Sequence, residues 1–107
     1  MIYNTLEKLL ENLTEFEWDE NNNEKNWEKH YVSCSECEQV FFNQPILVSY
    51  DEKHSEKEKR FQVLGKTNEE RKLFLVFTAR KNKIRIMSAR DQSRNERAIY
   101  EKTETNS

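Results

Sequence analysis

The sequence predicts an α+β domain, and three observations carry that prediction. Helix-start signals at Asp19 and Ser33 fall in the first half of the 107 residues. Apolar, β-branched and aromatic runs separated by polar turns fill the middle. The stretch from Ser93 onward is polar, free of Gly and Pro, and helical in composition. Helices followed by a block of strands describe α+β rather than alternating α/β. The expected architecture is two N-terminal helices, an antiparallel sheet of about four to five strands, and a C-terminal helix.

Ile2, Leu6, Leu9, Leu10 and Leu13 form one apolar stripe at helical spacing, so residues 1–14 read as an amphipathic extension. It is either an added helix docked on the domain or a surface for another chain. Phe16-Glu17-Trp18 alternates apolar and polar, as a short strand does. Asp19 is a candidate N-cap for a helix through His30. Ser33 caps a second, with Glu36 placed for a capping box, and that helix buries Cys34, Cys37, Val40 and Phe41 until Asn43-Gln44-Pro45 stops it near Phe42. Ile46 to Tyr50 is a strand, followed by the polar loop Asp51–Lys59. Phe61, Val63 and Gly65 alternate with Gln62 and Leu64 ahead of a turn near Thr67–Glu70. Leu73 to Thr78 and Ile84 to Ala89, linked by Arg80-Lys81-Asn82-Lys83, make an antiparallel hairpin. A short helix spans Ser93 to Tyr100, and residues 102–107 read as a frayed tail. The domain proper is then 15–101.

Composition narrows the class. Hydrophobic residues are 35% and charged residues 36%, with six Phe, four Tyr and two Trp, which suits one small folded domain with a highly charged surface. No apolar run approaches the roughly 20 residues of a membrane span, and no basic stretch precedes an apolar one, so a cytoplasmic protein is expected. One Gly excludes the glycine-rich loops that cradle nucleotides. The net charge of −2 conceals an asymmetry: residues 1–58 hold 5 Lys/Arg against 14 Asp/Glu, and residues 59–107 hold 13 against 6. The basic half suits a phosphate backbone and the acidic half a basic partner; two solvated faces of one domain are the alternative.

Three groups of residues, in order along the chain, resemble the BrnT toxin family from Phe16 to about Glu101. The first is Phe16-Glu17-Trp18-Asp19, Asn26 and Lys29-His30. The second is Asp51, His54, Glu58, Arg60-Phe61 and Gly65. The third and densest is Thr78, Arg80, Ile84-Arg85-Ile86-Met87-Ser88-Ala89-Arg90, Glu96-Arg97 and Tyr100. Two positions depart from the pattern: Asn22 stands where the family usually has Lys, and Tyr31 where it favours Gly. The first removes a phosphate contact; the second suggests a different turn between the two helices. The resemblance implies a RelE-like fold, ribonuclease activity that stops translation, and a BrnA-type antitoxin through which alone the complex reaches promoter DNA. A toxin that is monomeric by itself, in a two-plus-two assembly with antitoxin, is also implied.

RNA cleavage without a metal needs a base for the ribose 2′-OH, cations for the phosphorane and an acid for the leaving 5′ oxygen. The candidate catalytic residues are His54, Arg60, Arg80 and Arg85. His54 lies in a polar loop and is usable as acid or base near neutrality, or is simply solvated there. Arg60 and Arg80 flank strand ends. Arg85 interrupts an apolar strand and must face water, a ligand or a carboxylate such as Glu96 or Glu58. Candidate RNA contacts are Lys29, His30, Arg90, Arg97 and Tyr100. Each has a structural alternative: Lys29 and His30 as helix C-terminal charges, Arg90 and Arg97 as helix or sheet-edge contacts, and Tyr100 as packing rather than base stacking. Cys34-Ser35-Glu36-Cys37 lacks a second ligand pair, so buried, inert thiols are expected, with no metal and no cofactor. A competing reading keeps the fold and the antitoxin groove without catalysis, favoured by the isoelectric point of about 5.8 and by Asn22 and Tyr31. Direct DNA binding is disfavoured, since no helix is rich in Arg and Asn.

Overall fold

The structure is a computed structural model that describes residues 15–18, 29–54 and 58–106, the side chains of His54 and Arg80 excepted. Five strands, β1 (Glu15–Glu17), β2 (Leu47–Tyr50), β3 (Arg60–Lys66), β4 (Lys72–Arg80) and β5 (Lys83–Asp91), form one sheet in the order β1-β5-β4-β3-β2. Among the described residues, two helices accompany it, α1 (Cys34–Val40) in mid-chain and α2 (Arg94–Asn106) at the C-terminal end.

This corrects the expected architecture in two respects. The sheet is mixed rather than antiparallel, because β1 runs parallel to β5, with Phe16 opposite Ile84 and Glu17 opposite Arg85. Hairpin logic governs only strands adjacent in sequence, and β1 pairs with the last strand of the chain. Among the described residues the helices are one mid-chain and one C-terminal, not two N-terminal. The helix expected from Asp19 lies outside the described residues except at positions 29 and 30, which are helical. The leucine stripe of residues 1–14 also lies outside them.

Both sheet faces are covered, by different means. Phe61, Val63, Leu73, Leu75, Phe77, Ile84, Ile86 and Ala89 turn to the α1 face and pack with Val32, Cys37 and Val40. Phe16, on β1, meets Phe41 edge-on at 5.4 Å, and Phe41 meets Phe77 at 5.5 Å, so aromatic contacts fasten the short edge strand to the core. Gly65 lies directly beneath α1. A β-carbon there would collide with Val40 Cγ1, which explains why the chain's one glycine sits in a strand. On the opposite face, Tyr100 of α2 is fully buried among Leu47, Leu64 and Phe74.

The helix signals act as read. Ser33 caps α1, its hydroxyl accepting from the Glu36 N–H at 3.2 Å while Glu36 Oε1 accepts from the Ser33 N–H at 3.1 Å. Ser93 and Glu96 repeat the device at α2, at 3.3 and 2.8 Å. The last helix extends well past Tyr100, taking in residues 102–106. Lys66 and Lys72 reach across to Glu104 at 3.0 and 3.3 Å, and Lys72 to Glu101 at 3.0 Å, anchoring this final stretch to β3 and β4. The β4–β5 link is a two-residue turn, with Lys81 at φ 50° and Asn82 at φ 66°, the pair of left-handed residues that suits a twisted hairpin.

Candidate active site

Because α2 covers only one end of its sheet face, the other end is left for polar side chains. Strand alternation selects them: on β3, β4, β5 and β1 the residues between core positions are Arg60, Thr78, Arg85 and Glu17. Register makes them neighbours, since Arg60 pairs with Thr78, Thr78 with Arg85, and Arg85 with Glu17. One row across four strands therefore carries a guanidinium, a hydroxyl, a second guanidinium and a carboxylate. The next row toward the hairpin contains Lys83 and Glu15, an ion pair at 3.6 Å, and Arg80 pairs with Lys83 in register.

Thr78 is 3% exposed, and among the described residues its hydroxyl has no hydrogen-bond partner, a costly state for a buried polar group. Beside it, Gln62 Nε2 contacts Asp51 Oδ2 at 3.5 Å. The Asp51 N–H donates to the Arg60 carbonyl at 2.9 Å, closing the 51–59 loop at its base. His54 ends a 3-10 turn, Glu52–His54, within that loop, so its backbone stands at the same end of the sheet as Arg60.

Of the four candidate catalytic residues, register thus brings Arg60 and Arg85 onto one row, puts Arg80 at the adjoining hairpin and leaves His54 on the adjoining loop. The candidate RNA contacts do not join them. Arg90 is held bidentate by Glu96, at 2.8 and 3.0 Å, with its guanidinium 4.0 Å above the Phe74 ring. Burial pushes the Glu96 carboxyl up, but Arg90 and the Ser93 N–H together hold it below its ordinary value. Glu96 is thereby engaged with Arg90. Tyr100 is buried, and its hydroxyl donates to the Pro45 carbonyl at 2.6 Å, so it packs α2 onto the sheet. Lys29 is exposed, Arg97 is exposed on α2, and the His30 carbonyl accepts from Arg71 at 3.1 Å. Asp91 feels both His30 and Arg97, so these groups gather at the far end of β5. Arg85 and Arg90 lie opposite Thr78 and Phe74, so about 14 Å of strand separates them.

Arg71 is the cation that sequence reasoning missed. Its guanidinium binds Asp91 at 2.8 and 3.2 Å, Glu36 Oε2 at 3.0 Å, the Tyr31 carbonyl at 2.8 Å and the His30 carbonyl at 3.1 Å. It joins the C-terminal carbonyls of one helical segment, the start of α1 and the end of β5. The hydrogen bond from Arg71 holds Asp91 below the usual carboxylate range. Nothing in the sequence marks it, because its partners lie 20 to 41 positions away. Tyr31 adopts φ 54°, the left-handed conformation that glycine favours. The suggestion of a different turn is thus answered: Tyr here takes the backbone geometry suited to Gly.

Neither cysteine is in a disulfide; Cys37 is 1% exposed and burial pushes its thiol up to about 12, while Cys34 is half-buried and also raised by burial. Among the described residues there is no cluster of His, Cys, Asp and Glu able to hold a metal, and no helix long and apolar enough to cross a membrane.

A search of curated proteins returns no match to the chain. Residues 18–96, more than two thirds of the sequence, match the family described as "Ribonuclease toxin, BrnT, of type II toxin-antitoxin system". That span contains β2 to β5, α1 and three of the four residues of the polar row, and on this match the chain belongs to the BrnT family of ribonuclease toxins.

Proposed function

We infer that this protein is a metal-independent endoribonuclease whose cleavage of RNA inhibits translation and which a BrnA-type antitoxin neutralises. The observation that carries the reading is the register row in which Arg60 and Arg85 flank the buried Thr78 hydroxyl on the part of the sheet that α2 leaves uncovered. Two guanidiniums one strand to either side of a hydroxyl form a cradle for a phosphodiester, and they supply the positive charge that a phosphorane requires. The 2′-OH is the attacking group, so DNA is spared. His54 on the adjacent loop and Arg80 at the adjacent hairpin supply a proton-transfer group and a further cation. Arg90 and Tyr100 serve the fold rather than RNA. Lys29, His30 and Arg97, at the far end of β5, suit a longer RNA or the antitoxin. Promoter DNA is reached through the antitoxin.

Purified protein incubated with a defined RNA in EDTA tests this. Wild type is expected to leave a 2′,3′-cyclic phosphate end, and Arg85→Ala to lower the rate by about 10²–10³-fold, the cost of one lost transition-state donor. Arg90→Ala is expected to leave the rate intact. If wild type cuts neither free RNA nor RNA on translating ribosomes, and its induction does not arrest growth, the protein is a binding module for its antitoxin.

A further inference from the structure

The polar row is asymmetric in a way the ribonuclease reading does not use. At one end, on the edge strand, stands the Glu17 carboxylate; beyond the other end, past Arg60, lies the loop that carries His54. We propose that Glu17 is the general base of the cleavage reaction. The proposal rests on the ribonuclease reading and gives a role to a residue that reading leaves idle.

When a ribose 2′ oxygen attacks its own 3′ phosphate, it enters opposite the departing 5′ oxygen. Base and acid must then stand on opposite sides of the phosphorus, with positive charge between them. The row has that order: carboxylate, guanidinium, hydroxyl, guanidinium, then the histidine loop. Phe16 joins the core, so strand alternation turns Glu17 to the opposite face, together with Glu15, whose contact with Lys83 marks that face. Strands lie about 4.8 Å apart, so the Glu17 and Arg60 backbones are separated by about 14 Å. Among the described residues, the groups facing Glu17 are Arg85 and Lys83 on β5 and Glu15 on its own strand.

In the proposed step Glu17 takes the 2′-OH proton as the O2′–P bond forms. The P–O5′ bond breaks, and the 5′ oxygen leaves with a proton delivered from the far end of the row. The products are a 2′,3′-cyclic phosphate and a 5′ hydroxyl. Arg85 and Arg60 hold the charge of the phosphorane throughout.

The test compares wild type, Glu17→Gln and His54→Ala on two single-site RNAs, one natural and one with sulfur in place of the scissile 5′ oxygen. A thiolate leaves without a proton, so the sulfur substrate needs a base but no acid. Glu17→Gln is expected to lose about 10²–10⁴-fold in single-turnover rate on both substrates. It should also lack the acid-side limb expected in the wild-type pH–rate profile. The loss in His54→Ala is expected to be recovered on the sulfur substrate. Should Glu17→Gln fail to fold, Glu17→Asp keeps the test: the rate falls and the acid limb stays. A Glu17→Gln rate equal to wild type, or a deficit that disappears on the sulfur substrate, overturns the assignment while leaving the ribonuclease reading intact. Wild type that cleaves neither substrate, on or off the ribosome, overturns both.

Discussion

At the scale of single residues, the arginines divide into two kinds that look alike in sequence. Arg71 and Arg90 each hold a carboxylate and a backbone carbonyl in multidentate geometry that fastens distant segments, while Arg60 and Arg85 stand in the polar row at the other end of the sheet. Truncating the first kind should cost stability. Arg71→Ala leaves Glu36, Asp91 and two helix-end carbonyls without their shared donor, and because the side chain is 28% exposed, water repairs part of the loss. A destabilisation of about 1–3 kcal/mol is expected, read as a lower urea midpoint, and Arg71→Lys should recover little because one ammonium cannot span four acceptors. Gly65→Ala should cost a similar amount, about 1–3 kcal/mol in the same measurement, through the collision with Val40. Composition and spacing expose neither fact. The alternative that paired Arg85 with Glu96 or Glu58 shows why: Arg90 lies six residues from Glu96 and takes both of its oxygens, with its guanidinium packed over Phe74.

At the scale of elements, what was legible is what local chemistry decides. Ser33 with Glu36 announced α1, the polar tetrad Arg80–Lys83 announced the hairpin, and each apolar run became a strand. Two things escaped because they depend on distant partners. The parallel pairing of β1 is decided by Phe16 against Phe41 at one end of the fold. The extension of α2 to Asn106 is decided by Lys66 and Lys72, which lie some 30 residues earlier. Part of the candidate site was legible for a related reason: Arg85 in an apolar strand declares itself, whereas Thr78 and Glu17 become its neighbours only through register. The hairpin also offers an element-scale prediction. Lys81 and Asn82 both occupy left-handed backbone, and a lysine there is held against its steric preference. Replacing the pair by Asn-Gly should raise stability by about 1 kcal/mol, seen as a higher melting temperature with an unchanged denaturant slope.

At the scale of the molecule, the ion pairs set the range of pH over which the domain holds together. Arg71 lowers Asp91; Glu36 and Glu104 are pushed up by burial but carried lower by their hydrogen bonds to Ser33 and Arg71, and to Lys66 and Lys72. A carboxylate depressed in the folded state contributes stability that is complete above its unfolded value, about 4, and is lost as pH falls through the lower folded value. On the alkaline side, Glu104 raises Lys66, Glu101 raises Lys72, and burial raises Tyr100. Groups raised in the folded state contribute fully below their unfolded values, about 10, and the contribution is lost as pH climbs through the folded ones. The buried Cys37 thiol, raised above its unfolded value of about 8.5, is the first group to act on that side, so melting temperature should be level between about pH 5 and 8 and fall on both sides. Glu104→Gln is the sharpest check, because one carboxylate serves two lysines that hold the end of α2 on the sheet. It should cost about 0.5–1 kcal/mol at neutral pH, speed amide exchange over residues 102–106, and flatten the acid slope. Its effect on cleavage should be nil. The clamp and the polar row lie at opposite ends of β3 and β4, so a fall in cleavage at a pH where the melting temperature is still level belongs to the chemistry of the row and not to loss of the fold.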